Sequence, residues 1–244
     1  MKRNLNPHIS VDCVVFACDF RHLKVLLLNR RGDEEGNGES RPSLKLPGSL
    51  VYDDEFLGTA AQRVLKELTG LNDIFLEQFG VFDSPDRVRN YDKVWLEHTS
   101  GLPIDRVMSV GYLAMVKYNE TSEKKRLKAD AMWVNVNEVG QLAFDHNNIL
   151  IKALEILRSR LQYEPVGIEL LPRKFTIRQL QSLYEIILGT SIDDRNFRKK
   201  LAGLKYFVPL DEKQEKVAHK PARLYKFDRD IYEKVAKANM AFNL

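Results

Sequence analysis

Three charged residues in one short segment, Glu55, Arg63 and Glu67, have the clearest potential for chemistry in this sequence. The segment is Leu46–Leu71, LPGSLVYDDEFLGTAAQRVLKELTGL, which opens with a Pro-Gly turn and continues into a predicted helix that ends at Gly70. Carboxylates one turn apart on a helix face are oxygen ligands for Mg²⁺, which activates water and screens phosphate charge. Glu55 and Glu67 are therefore candidates for holding one metal ion.

The same segment resembles the Nudix signature, in which a Gly, a Glu and the run Arg-Glu-apolar-x-Glu-Glu-x-Gly-apolar stand at fixed spacing. The matching positions are Ser49 for the Gly, then Glu55, Arg63, Leu65, Glu67, Gly70 and Leu71, with Val64 and Leu68 in place of two glutamates. The resemblance implies that positions 64, 67 and 68, which share one helix face, would hold Mg²⁺ against a pyrophosphate. Only one of these three positions carries a carboxylate here.

The loss of two carboxylates predicts a Nudix fold without the usual hydrolysis. We expect no metal, no cofactor and no catalytic residue, so that Glu55, Arg63 and Glu67 are vestigial. Arg63 precedes Glu67 by four residues, which favours a surface ion pair between them. The alternative is a Mg-dependent Nudix pyrophosphohydrolase acting on ADP-ribose or another nucleoside diphosphate derivative, with carboxylates from Ser84–Asp105 completing the site.

Composition bounds the class of protein. The 244 residues are 44% hydrophobic and 30% charged, which is typical of a globular protein with one large or two ordinary domains. Two cysteines in one apolar run, Cys13 and Cys18, favour buried thiols in a reducing compartment. No apolar run approaches the roughly 20 residues that span a bilayer, and the N-terminus lacks an apolar signal core. We expect a cytoplasmic protein with no membrane contact.

Charge is spread unevenly along the chain. Residues 1–164 carry 22 Lys and Arg against 24 Asp and Glu, whereas residues 165–244 carry 16 against 10, a net charge of +6. A basic C-terminal third on a nearly neutral body indicates a polyanionic partner for that third. The prolines and glycine in Tyr163–Lys174 mark the predicted boundary between a first domain, 1–163, and a second, 164–244.

The first domain is predicted to have an α+β fold, a Nudix-like mixed sheet flanked by helices. Strands are predicted at His8–Cys18, Leu23–Asn29, Lys45–Val51, Ile74–Asp83, Met108–Tyr118 and Met132–Val136, and a long helix at Phe144–Gln162. Asp145 is predicted to cap that helix. The polar stretch Ser84–Val107 is predicted to be a loop, and loops of this length are commonly functional. Because the corresponding loop flanks the ligand cleft in Nudix proteins, the resemblance implies that Arg87 and Arg106 contact a ligand; Lys45 is a further candidate.

The second domain follows the order of a winged helix-turn-helix. Thr176 is predicted to cap a helix that runs to Leu188, and Asp193 a second helix with Phe197, Leu201 and Leu204 on one side. Short strands at Tyr206–Val208 and Arg223–Phe227 flank a polar loop. Arg and Asn side chains can make paired hydrogen bonds to guanine and adenine edges, and basic residues contact phosphates. The predicted DNA-binding residues are Arg195, Asn196, Arg198, Lys199, Lys200, Lys220 and Arg223.

Nearly the whole chain resembles the Nudix-related transcriptional regulators. The resemblance rests on DCVVF at Asp12–Phe16, RVLKELTGL, FDH at Phe144–His146, and LLPRKFTIRQLQSLYE leading into RNFRKK. It implies a homodimer that binds double-stranded operator DNA and a small effector. One branch of that family responds to ADP-ribose-type metabolites, the other to sugars such as L-arabinose; the lost carboxylates and the RNFRKK helix favour the sugar branch. A further alternative is a ligand-binding adaptor whose basic domain docks on another protein.

Overall fold

The computed structural model describes residues 3–30, 42–118, 127–215 and 220–240. The chain divides into two compact units, Met1–Gln162 and Tyr163–Leu244. Across the described part of the chain, no helix has both the length and the apolar character needed to cross a bilayer.

A seven-stranded mixed sheet forms the centre of the first unit. Its strands are β1 (Leu5–Cys18), β2 (Leu23–Asn29), β3 (Leu44–Lys45), β4 (Gly48–Tyr52), β5 (Glu77–Phe82), β6 (Met108–Lys117) and β7 (Ala131–Asn135). The central strand β1 pairs antiparallel with β2 and β4 and parallel with β6, in a register that places Asp12 beside Gly111. The predicted strands are present, except that the one predicted at Lys45–Val51 is divided between β3 and β4.

Three helices accompany the sheet: α1 (Leu57–Thr69), α2 (Asn90–Ser100) and α3 (His146–Arg160). Helix α1 ends where the sequence predicted, because Gly70 adopts a left-handed conformation with φ of 84°. Its apolar face packs into the core against side chains of β1 and β6. Val64 is fully buried in this core, so this replaced glutamate position faces the sheet.

Helix α2 corrects the prediction that Ser84–Val107 is a loop. The helix is hard to recognise because it lacks an apolar stripe; its one buried residue is the carboxylate of Asp92. It ends at Gly101 in a left-handed conformation. Leu96, together with Val88 and Leu102 from the flanking turns, packs against a small cluster of Leu50, Ile104 and Val107. Tertiary contacts, including those of one buried ion, therefore stabilise a helix in a segment whose sequence pattern predicts a loop.

The second unit has the predicted order of elements and one further helix. Helix α4 (Ile177–Leu188) begins with a capping box, in which Thr176 and Gln179 exchange side-chain to backbone hydrogen bonds. Helix α5 (Asp194–Ala202) is capped by Asp193. The hairpin β8 (Phe207–Lys213) and β9 (Arg223–Phe227) follows, and then α6 (Arg229–Met240), which was not predicted. Aromatic rings of Tyr206, Phe207, Phe227 and Tyr232 pack together beneath the hairpin.

Candidate functional site

The carboxylates that remain from the magnesium signature are engaged by an arginine. Arg63 donates to both oxygens of Glu55 at 2.8 Å, and the Glu55 side chain is 1% exposed. Hydrogen bonding from Arg63 lowers the pKa of Glu55, so this carboxylate stays ionised and paired. Glu67 also accepts from Arg63, at 3.3 Å, as the i,i+4 spacing predicted.

These residues do not fit a magnesium ion. Mg²⁺ requires several oxygen ligands in octahedral geometry, whereas Val64 is buried in the core and Leu68 packs against it. Among the described residues, no group of three or more His, Cys, Asp or Glu is placed to hold a metal ion. The donor set at this helix therefore supports a scaffold role rather than a metal centre.

A second polar site lies where β1, β3, β4, α2 and the start of α3 meet. The cleft there encloses about 360 Å³ of empty space, a figure that includes open solvent at its mouth. Its lining combines charged, polar and apolar side chains: Ser10, Asp12, Lys45, Gly48, Ser49, Leu50, Arg87, Val88, Trp95, Leu96, Val107, Phe144 and His146. Two of the three residues predicted to contact an effector, Lys45 and Arg87, are in this lining.

Asp12, on the central strand, is the buried anion of the cleft. The Ser109 hydroxyl donates to its Oδ2, the His146 Nε2 lies 3.3 Å from Oδ1, and Arg87 Nη2 donates to Oδ2 at 3.4 Å. Burial alone would raise the pKa of Asp12, but His146, Arg87 and Ser109 hold it well below its usual range. A Cβ added at Gly48 would lie 1.8 Å from Asp12 Oδ1, so only glycine lets β4 approach this carboxylate.

Arg87 bridges Asp12, in the cleft lining, and Asp145, at the N-terminus of α3. Besides Asp12, its guanidinium donates to both oxygens of Asp145, at 2.9 and 3.3 Å. This corrects the capping role predicted for Asp145: the residue stands at the N-terminus of α3, but its side chain makes no capping hydrogen bond. The ion pair with Arg87 replaces the cap, which ties the turn before α2 to the start of α3.

Lys45 and His146 complete the polar interior. The buried Lys45 amine donates to the carbonyl oxygens of Gly48, at 2.8 Å, and Leu46, at 3.3 Å. Burial lowers the pKa of Lys45 to about 8. The Leu46 N–H donates to His146 Nδ1 at 2.9 Å, so Nδ1 is an acceptor and the ring proton is on Nε2, facing Asp12.

The aromatic residues of the lining, Trp95 and Phe144, adjoin a second buried ion pair. Arg30 lies 2.5 Å from Asp92, and its guanidinium stacks 4.6 Å from the centre of the Trp95 ring. Asp92 also accepts from the backbone N–H of Phe144, whose φ is +57°. Burial raises the pKa of Asp92 against the opposing effect of Arg30. Together these contacts tie α2 to Arg30, which follows β2, and to Phe144 just before α3.

The structure places Arg106, the third predicted effector contact, outside the cleft. Its side chain is exposed and donates to the Asp83 carbonyl oxygen at 3.0 Å. Sequence reasoning missed Asp12, Ser109, Trp95 and His146 as members of the site. The DCVVF and FDH runs contained two of them, but no local pattern indicated that positions 12, 109 and 146 converge.

The second unit presents a helix with an exposed basic surface. Phe197 and Leu201 of α5 are buried, and the Phe197 ring packs against Tyr184 of α4. The polar residues predicted for DNA contact on this helix are all exposed: Arg195, Asn196, Arg198, Lys199 and Lys200. Within the part of the chain that the structure describes, no carboxylate lies in ion-pair distance of those four basic side chains.

A buried amide fixes the angle between α4 and α5. Gln181 is 1% exposed, and its Nε2 donates to the Ile192 carbonyl oxygen at 3.0 Å and to Asp194 Oδ1 at 2.6 Å. Glu185 accepts the Ile192 N–H at 3.0 Å. Side chains of α4 therefore bind both the inter-helix turn and the first residue of α5.

The hairpin β8–β9 carries the two remaining residues predicted for DNA contact. Lys220 is exposed. Arg223 is also exposed, but it donates to the Leu210 carbonyl oxygen and pairs with Asp211 at 2.9 Å. Residues 216–219 of the predicted basic loop lie outside the described residues.

Comparison with known protein families gives two matches. The family model described as NUDIX domain matches residues 6–155, and the one described as NrtR DNA-binding winged helix domain matches residues 167–227. These matches and the observed architecture confirm the predicted fold class, a Nudix-like mixed sheet with helices followed by a winged helix domain.

The chain is also similar to individual proteins, two by sequence and one by structure. The chain is 29% identical over 233 residues to the "ADPR responsive transcriptional repressor NtrR" of Acinetobacter baylyi, covering 93% of this chain and 85% of the relative. It is 28% identical over 146 residues to the "ADP-ribose pyrophosphatase" of Methanocaldococcus jannaschii, covering 60% of this chain and 72% of that protein. In structure it is similar to Shewanella oneidensis NrtR complexed with a 27mer DNA, with a TM-score of 0.68, 24% identity, and coverage of 92% and 95% of the two chains.

Proposed function

Since the chain belongs to the Nudix domain family and ends in an NrtR-type DNA-binding winged helix domain, we propose that it is a transcriptional regulator. In this proposal the winged helix binds operator DNA, and the Nudix domain binds a small effector that changes the affinity for that DNA. The observation that carries the proposal is the pairing of a cleft rich in buried polar groups with a basic helix whose charged side chains are exposed.

The DNA contact is proposed for helix α5. Arg195 and Asn196 near its start can read base edges, and Arg198, Lys199 and Lys200 can contact phosphates. Buried Phe197 and Leu201 anchor the opposite side of the helix, and Gln181 and Glu185 fix its first turn. This arrangement resembles a recognition helix: rigid on the inner side and rich in hydrogen-bond donors on the outer side.

The effector is proposed to bind in the cleft around Asp12, Lys45, Arg87 and His146. Carboxylate, amine, guanidinium and imidazole groups can together satisfy several hydroxyls, and the Trp95 and Phe144 rings offer an apolar face. A pentose ring has this chemistry, and it is common to ADP-ribose and to free aldopentoses such as L-arabinose. The Acinetobacter relative supports ADP-ribose by its name.

Hydrolysis is the second candidate function, because the Methanocaldococcus relative is a pyrophosphatase by name. The engaged carboxylate of Glu55 and the buried Val64 argue against it in this chain. A Mg²⁺-dependent assay on ADP-ribose, NADH and nucleotide sugars distinguishes the two functions. Turnover that is abolished by Glu67→Gln would establish the hydrolase and remove the basis for a purely sensory Nudix domain.

Effector binding and DNA binding are proposed to be coupled through the arrangement of two subunits. Two chains pair, place their α5 helices in successive major grooves, and lose that spacing when effector is bound. A coupling free energy of roughly 1–3 kcal/mol is sufficient for a switch of this kind. Light scattering on the full chain measures whether it is a dimer at the concentrations that bind DNA.

The test of the regulator proposal uses the purified full-length chain. Sequences selected from randomised duplex DNA give an operator, and fluorescence anisotropy then measures affinity with and without ADP-ribose, L-arabinose or other aldopentoses. We expect selection of one palindromic sequence, an affinity that falls steeply with salt, and a change of affinity with one ligand. Failure to enrich any sequence would favour the adaptor alternative.

A further inference from the structure

Lys45 places a nucleophilic group in the cleft of the first unit. The residue is 6% exposed, so its amine is shielded from bulk solvent, yet it belongs to the cleft lining. Its Nζ donates to two carbonyl oxygens, that of Gly48 at 2.8 Å and that of Leu46 at 3.3 Å. Because these two oxygens can take both hydrogens of a neutral amine, the lone pair of the nitrogen is left for a ligand.

The surroundings of this amine favour its neutral form, which is the nucleophile. Arg30 and Lys45 both lie against the ring of Trp95, with Arg30 Cζ 4.6 Å and Lys45 Nζ 5.7 Å from the ring centre. Burial lowers the pKa of Lys45 to about 8 and the Arg30 charge adds to this effect, whereas Asp12 and Cys13 oppose it. Shielding from water and a neighbouring cation are two means by which proteins activate a lysine for reaction with carbonyl compounds.

We propose that Lys45 is a site at which a small aldehyde binds covalently and reversibly, as an imine. The ammonium first releases a proton, and the lone pair of the neutral amine then forms a bond to the carbonyl carbon while the π pair of the C=O bond passes to the oxygen. That oxygen takes one proton from the nitrogen and then the proton that the ammonium released, and it leaves as water. One ammonium and one aldehyde thus give one iminium ion and one water, with no oxidant or reductant.

The electrostatics of the cleft are compatible with this bond. An iminium ion carries the same positive charge as the ammonium that it replaces, so the attraction between Asp12 and the Lys45 nitrogen persists, and the ion pair between Asp12 and Arg87 does not have to break. A covalent bond also makes the aldehyde carbon itself the feature that is recognised. Imine formation at Lys45 rests on the proposed function only in placing a ligand in that cleft, and it does not require DNA binding.

Reductive trapping on the full-length wild-type protein tests the proposal. Glycolaldehyde or propionaldehyde is added at pH 7.5 with sodium cyanoborohydride, which delivers hydride to the carbon of the C=N bond and makes the link permanent. Each trapped lysine gains the mass of the aldehyde less one oxygen atom, so peptide mass spectrometry gives a rate for every lysine. We expect Lys45 to react at least tenfold faster than any other lysine. At this pH roughly a quarter of an amine with a pKa of about 8 is neutral, against about one in a thousand for a pKa of about 10.4.

Lys24 and Lys66 are internal controls in the same sample. The Lys24 side chain is 15% exposed and its amine pairs with Asp19 at 3.3 Å, so it is shielded but held by a carboxylate, whereas Lys66 is exposed. Protein unfolded in urea should label all three lysines at equal rates, which normalises peptide detection. Between pH 7.5 and 9.5 the ratio of Lys45 to Lys66 labelling should fall at least tenfold, because the Lys45 amine is already largely neutral at the higher pH while that of Lys66 is still gaining neutral form.

The outcomes separate the imine from the proposed function. A Lys45 rate less than tenfold above that of Lys66 at pH 7.5, or a ratio that does not fall as pH rises, would overturn the aldehyde site and leave the regulator proposal standing, since operator selection is measured separately. Selective trapping at Lys45 in a protein that enriches no DNA sequence would support the aldehyde site and remove the regulator proposal.

Discussion

The guanidinium of Arg63 binds both carboxylate oxygens of Glu55, with Nε 2.8 Å from Oε1 and Nη2 2.8 Å from Oε2. The two residues are eight positions apart, and their contact joins the turn before α1 to the middle of that helix. In the Nudix signature this glutamate and the helix carry metal chemistry, whereas here the same framework is held by a charge-assisted hydrogen-bond pair. The retained residues therefore preserve the geometry of the loop and helix.

Returning a glutamate to position 64 should destabilise the protein without creating a hydrolase. Val64 is fully buried, and an unpaired carboxylate there should reduce the free energy of unfolding by about 3–5 kcal/mol. Leu68→Glu is the matched control, since Leu68 is partly exposed and should cost about 1 kcal/mol. Urea unfolding measures both, and Mg²⁺-dependent release of AMP from ADP-ribose should stay at background. Equal costs at the two positions would contradict the placement of Val64 in the core.

Removing basic side chains from α5 should weaken operator binding while leaving the fold intact. We expect Arg195→Ala to cost about 1–3 kcal/mol of binding free energy if Arg195 reads a base, and Arg198→Ala to lower the salt slope by about 1 if Arg198 contacts a phosphate. Lys66→Ala, on the exposed face of α1, is the control for net charge. Anisotropy titrations at several salt concentrations give both quantities. Wild-type binding by both α5 variants would show that the recognition helix lies elsewhere.

The amide of Gln181 should be necessary for the position of α5. In Gln181→Glu a donor becomes an acceptor that faces the Asp194 carboxylate and the Ile192 carbonyl oxygen, which should cost about 2–4 kcal/mol. Adding Asp194→Asn supplies a donor for the new carboxylate and should restore part of the loss. A double-mutant cycle by urea unfolding, followed by DNA titration, measures this coupling. Additive effects would mean that the two side chains do not interact.

Stability should depend on pH through Lys45. The pKa of Lys45 is lowered to about 8 in the folded protein, whereas the pKa of a lysine in an unfolded chain is about 10.4. Between these values the unfolded state binds more protons, so the free energy of unfolding rises with pH, by up to about 3 kcal/mol.

The measurement compares urea unfolding of the wild type and Lys45→Met at pH 7.5, 9 and 10. The difference in stability should move in favour of the wild type as pH rises, because the methionine variant lacks the titrating amine. Lys66→Met, at an exposed position, should show a difference from the wild type that does not change with pH. A pH-independent difference for Lys45→Met would mean that folding does not lower the pKa of the Lys45 amine.

Much of the fold could be predicted because local patterns determine it. Alternating and continuous apolar runs indicated β1, β2 and β6, and Gly70, Thr176 and Asp193 marked helix ends correctly. Helix α2 escaped prediction because its packing depends on a buried carboxylate, which no apolar period reveals. Helix α6 was not predicted either, although Tyr232 within it contributes a ring to the aromatic core.

The candidate site was predictable only in part. The long polar stretch pointed to Arg87, and Lys45 was also predicted, but the partners of these cations come from distant positions. Asp12 and Ser109 meet because β1 and β6 run parallel, and His146 joins them from the start of α3. A parallel pairing between strands about 100 residues apart leaves no local signal, so the carboxylate that organises the cleft was not recognised as such.

Helix α2 forms one wall of the cleft, yet it contributes a single buried carboxylate and no fully buried apolar residue. Its sequence is thus constrained at few positions, while the strands beneath it must preserve a densely packed interior. If the cleft binds an effector as proposed, substitutions on this helix can change the shape of one cleft wall without disturbing the packing of the sheet that supports it.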